Sequence, residues 1–182
     1  MTPLVRSTLA ALLLAVPVVA EATGLVDGDA FAGRVGFALA QVVGWLLVGS
    51  VVRDVVRARP GAGRWASRLL LAGVTCQVVF AGAYLVSVVI TGEPWEGAFL
   101  AFLLGFLLLT TGGGLGAVRL RPTAPRAAVG LAAVAGLGLV AVLVGDTVVH
   151  EVALVGSYVA WVLVGGSPTT APVAERVSAG SR

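Results

Sequence analysis

Long uninterrupted apolar runs, parted by short clusters of charge, constrain this chain more than any other feature. The runs fall at about 4–22, 35–52, 69–91, 97–118, 127–145 and 148–166, each near the 20 residues that a helix needs to cross a bilayer. Lipid offers no partner to a backbone amide, so a crossing segment must be a helix or part of a closed barrel. The runs lack the period-two alternation of a barrel strand, which leaves helices. The expectation is an all-α polytopic membrane bundle of six transmembrane helices with no soluble domain. Residues 1–166 form its single domain, and 167–182 form a disordered cytoplasmic tail.

Composition supports this. Hydrophobic residues are 58% of the chain and charged residues 12%, more apolar surface than a water-soluble globule of this size can hide. All 12 basic residues are arginine, a bias that points to a GC-rich prokaryotic genome. The net charge of +3 does not indicate nucleic acid, because the arginines are spread over several loops without interleaved aromatics. Cys76 stands alone in an apolar run, so no internal disulfide can form and no cysteine cluster offers itself to a metal.

The loops sort by sign. Arg6, the five arginines of "RDVVRARPGAGRWASR" (53–68), the three of "RLRPTAPR" (119–126) and Arg176 and Arg182 alternate with segments holding Glu21, Asp27, Asp29, Glu93, Glu96, Asp146 and Glu151. Arg34 is the single arginine on the acidic side. The positive-inside rule places the arginine-rich side in the cytoplasm together with both termini, in a plasma (inner) membrane, facing anionic lipid headgroups. Trp65 and Trp95 fit interfacial belts, whereas Trp45 and Trp161 lie mid-span and are expected to pack between helices.

The first run could also be read as a signal peptide, with Arg6, a short apolar core and "AEA" (20–22) as a cleavage pattern, which would leave five spans. Retention is the expectation, since Leu4 and Val5 with a snorkelling Arg6 lengthen the core enough to span. A faint two-helix repeat, marked by Arg59-Pro60 and Arg121-Pro122, is open to two readings: a parallel repeat of the transporter kind, or chance similarity in Ala/Val/Leu/Gly-rich sequence.

Motifs of soluble chemistry are missing. "GGGLGA" (112–117) and "GLGLVA" (136–141) imitate a dinucleotide fingerprint but sit inside spans, where no strand precedes them and no open helix terminus meets a pyrophosphate. No catalytic, cofactor or metal site is nominated. Small residues at four-residue spacing, Gly36, Ala40 and Gly44, then Ala128, Ala132 and Gly136, then Gly156 and Ala160, suggest helix-packing seams or a dimer face.

Polar residues at membrane depth remain. Gln41, Gln77, Tyr84, Ser87 and Ser157 could line a path for a small solute, or could hydrogen-bond between helices. His150 and Glu151, at the outer edge of the sixth span, could end the bilayer-crossing segment as a hydrated turn, or form a pH-sensitive edge where protons enter. The leading functional expectation is a non-enzymatic membrane component packing with other membrane proteins or with itself. A small-solute permease or channel is the alternative, and a membrane enzyme acting on lipid or quinone a third.

Overall fold

A computed structural model of the chain describes residues 1–28, 30–58, 63–144 and 147–167. It contains six helices: α1 (Pro3–Ala22), α2 (Phe31–Ala58), α3 (Arg64–Thr91), α4 (Ala98–Leu120), α5 (Pro125–Leu143) and α6 (Thr147–Gly165). All six are long and apolar enough to cross a membrane, and no strand occurs among the described residues. The chain is a multi-pass membrane protein. The tail expected from 167 onward lies, apart from Ser167, outside the described residues, as do Asp29, Arg59, Pro60 and Asp146.

Local signals account for most helix ends. Thr2 caps α1, its hydroxyl accepting from the Val5 amide at 3.3 Å, and Pro3 opens the helix where its missing N–H is not needed. Pro125 opens α5 in the same way. Gly92 ends α3 in the left-handed conformation, φ +78°, its amide returning to Val88 O at 2.9 Å. The helices α2 and α3 each run 28 residues, about 42 Å, against a hydrocarbon core of about 30 Å. Both extend past the apolar run because arginine is a good helix former and its charge stays in water.

Each helix packs against its neighbours in sequence, and α6 returns to pack against α1. The result is a ring of six, with a light contact between α2 and α6 behind α1. Large side chains from all six helices fill the centre, among them Leu14, Trp45, Val48, Leu70, Leu109, Leu131, Tyr158 and Trp161. Trp45 and Trp161 are both buried, whereas Trp65 and Trp95 are exposed near the helix ends.

Glycine brings backbones together at the seams. A Cβ on Gly112 would lie 2.8 Å from the Leu70 amide nitrogen, and one on Gly113 3.0 Å from Leu131 O, so α4 presses its backbone onto both α3 and α5. On α5 and α6 the close approach is Gly130 to Ala160 O, 3.0 Å by the same measure.

The small-residue stripes fall unevenly on these seams. Gly44 faces Leu14 of α1, Gly156 faces Leu137, and Ala128 and Ala160 are buried. Ala40 is half-buried, whereas Gly36, Ala132 and Gly136 are exposed, and a Cβ on either glycine would meet nothing within 4 Å. In an Ala/Gly-rich helix, small residues recur on every face, and large residues such as Leu131 and Val134 decide which face turns inward.

Candidate functional site

The polar groups of the spans do not gather into one path. Gln41 is buried on α2, its Oε1 accepting from Trp45 Nε1 at 3.0 Å and its amide nitrogen directed at Leu14 O of α1, 3.5 Å away. The Tyr158 side chain lies beside it, in hydrogen-bonding reach of Gln41 and edge-on to the Trp45 ring at 5.8 Å. These groups knot α1, α2 and α6 together. Gln77 is buried at a different seam, where its Nε2 donates to Phe102 O of α4 at 3.1 Å, while its Oε1 has no partner among the described residues. A Cβ on Gly105 would fall 2.8 Å from that Nε2, so glycine at 105 makes room for the amide.

Hydroxyls bond locally. Ser157 donates to Leu154 O and Ser87 to Tyr84 O, and Ser87 also accepts from the Trp95 amide at 3.0 Å, tying the turn before α4 to α3. Between the helices a gap of about 10 Å³ is walled by apolar residues such as Val52, Leu70, Leu131 and Trp161. That is at the lower limit for one water molecule, and the walls offer water no partner.

His150 bonds through Nδ1 to Ala141 O in the last turn of α5. It thus satisfies a carbonyl that helix termination leaves open. Glu151 borders a separate groove of about 390 Å³ between α1 and α6, with Val18, Val19, Val155 and Gly156. The two side chains therefore serve different surroundings.

An open vestibule lies at the acidic end of the ring. It measures about 660 Å³ and is walled by Val16, Pro17 and Glu21 of α1, by Gly33, Arg34, Gly36 and Phe37 of α2, and by Tyr84 of α3, with Val26, Gly28 and Pro94 at its rim. Phe37 and Tyr84 form one wall, their ring centroids 6.1 Å apart, and the aromatic contacts continue through Phe80 to Phe102 of α4. One helical turn below Phe37 on the same face of α2 stands Gln41, so the Gln41–Trp45–Tyr158 knot lies beneath the vestibule. Arg34 donates from one guanidinium nitrogen to Glu93 Oε2 at 2.9 Å and to Gly92 O at 2.8 Å, joining the start of α2 to the end of α3.

At the opposite end, Arg6 pairs with Asp54 and donates to Ser50 Oγ at 3.1 Å, fixing α1 to α2. Sequence reasoning gave Arg6 only a headgroup role. The one available signal was Asp54 itself, a single acid among the five arginines of 53–68. The vestibule was also missed, because its walls come from three helix ends that no local pattern links. Among the described residues no three His, Cys, Asp or Glu side chains come together as metal ligands would, and Cys76 is a half-buried free thiol. Comparison with protein-family models, curated proteins and solved structures gives no match to this chain.

Proposed function

We propose that the protein is a non-enzymatic component of a plasma (inner) membrane that packs with other membrane proteins or with another copy of itself. Its arginine-rich end and both termini face the cytoplasm, and its vestibule faces outward. The packed centre of the ring carries this reading. Gln41 and Gln77, the two side chains best suited to a polar path, hydrogen-bond to neighbouring helices at separate seams, and the gap between the helices is too small and too apolar to conduct. Exposed small residues on α5, Ala132 and Gly136, supply a surface where another helix can approach closely. Anionic headgroups at the cytoplasmic face complement the exposed Arg53, Arg57, Arg64, Arg68, Arg119, Arg121 and Arg126.

A photo-crosslinking residue at Gly136 tests the assembly in native membranes, with one at Val118, an exposed α4 position, as comparison. Capture of a second membrane protein or a second copy from Gly136 supports the reading. A chain that stays uncaptured from both positions and carries small solutes or ions across proteoliposomes contradicts it, and favours a permease instead.

A further inference from the structure

We propose that the vestibule between the acidic-end turns of α1, α2 and α3 binds a small organic ammonium ion, with its charge beside Glu21 and its apolar body against Val16, Pro17 and the Phe37–Tyr84 pair. The inference goes beyond the assembly role and stands or falls separately from it.

Charge selects a cation. Among the described residues, the charged side chains that line the vestibule are Glu21 and Arg34. Arg34 is engaged by Glu93 and by the Gly92 carbonyl, so its charge is already opposed. The Glu21 carboxylate, in contrast, makes no hydrogen bond or ion pair among the described residues. The carboxylate lies over Gly28, close enough that a Cβ there would meet its Oε1 at 2.5 Å. With Arg34 opposed by Glu93, the unopposed charge on the wall is the Glu21 carboxylate, and an unopposed charge in a concave surface concentrates ions of the other sign.

Shape and wall chemistry select an organic cation over a metal ion. One carboxylate in about 660 Å³ is far from the several oxygen ligands that a bare divalent cation requires. Apart from Arg34, which is held by Glu93, the remaining walling side chains are apolar or aromatic, and an aromatic face attracts an alkylated ammonium while its substituents leave water. The volume suits a ligand of drug-like size or smaller.

Gly36 offers a decisive variant. It lines the cavity, and a Cβ placed there meets nothing within 4 Å, so Gly36→Leu branches from an open position on α2 and extends into the vestibule rather than into a packed seam. Benzyltrimethylammonium is the probe, with phenylacetate as an anion of similar size. Binding is followed by saturation-transfer NMR on the full chain in nanodiscs, with empty nanodiscs subtracted. The expected result is saturable binding with a Kd of about 0.1–1 mM and no saturable binding of phenylacetate. Glu21→Gln should weaken binding about tenfold, Gly36→Leu should abolish it at an unchanged melting temperature, and Glu96→Gln, outside the cavity, should leave it within about twofold. Absence of saturable ammonium binding, equal binding of phenylacetate, or a Glu21→Gln chain that binds as the native one does would each overturn the proposal.

Discussion

At the scale of residues, the buried polar side chains act as fasteners between helices. Gln41 accepts from Trp45 and reaches α1 and Tyr158, so Gln41→Leu strips the buried Trp45 indole of its acceptor. A loss of about 1–2 kcal/mol is expected, readable by steric-trap unfolding in bicelles, and an unchanged stability would show that the knot is not fastening anything. His150→Ala removes one cap from the end of α5, and stability should fall by about 1 kcal/mol or less, with membrane insertion unchanged. Loss of insertion would mean that His150 does more than close a helix. The sequence alone exposed Gln41, Gln77 and His150 as unusual, because polar groups are rare in such runs. It could not say which partner each takes, since Leu14, Phe102 and Ala141 contribute only backbone carbonyls, and every residue has one.

At the scale of elements, helix number and placement followed from apolar run length, and each expected span overlaps one observed helix. The ends of α2 and α3 did not follow, because hydropathy marks where lipid ends and the helix continues to Ala58 and from Arg64. Seams were legible only in part. Gly44 and Ala160 lie on them, but Gly136 faces outward and Gly130 takes the contact, a choice fixed by where the bulky side chains of the whole ring fit. The Arg6–Asp54 pair makes a prediction for α1. Its side chains are 20% and 34% exposed, so water screens part of the attraction, and Asp54→Ala should cost about 1 kcal/mol. A double-mutant cycle with Arg6→Ala measures the coupling directly, and a coupling of zero would mean that α1 is held by packing alone.

At the scale of the whole molecule, the charge segregation read from the loops agrees with what the ring does at its two ends: Arg6 finds Asp54 at one, and Arg34 finds Glu93 at the other. The proposed orientation follows from that segregation. In a Cys76→Ala background, Glu96→Cys should react with an impermeant thiol reagent in intact cells and Thr123→Cys should not, both positions being exposed in the structure. The reverse pattern would invert the topology and turn the vestibule toward the cytoplasm. Ring closure was not legible at all, because the contact of α6 with α1 joins the two ends of the sequence and depends on every helix between them.

That closure is the feature on which the packed centre and the vestibule above it both depend. Near the arginine-rich end, Gly166 follows α6 directly, and a Cβ placed on it would lie 3.4 Å from Leu4 Cδ1 of α1. Leu4→Cys with Gly166→Cys, treated in native membranes without Cys76 with a short bifunctional thiol cross-linker, should therefore yield a linked peptide pair by mass spectrometry. Leu4→Cys with Val118→Cys, on an α4 that does not touch α1, should stay unlinked. Linkage of the first pair alone is the result the closed ring predicts; an unlinked first pair, or equal linkage of both, would contradict it.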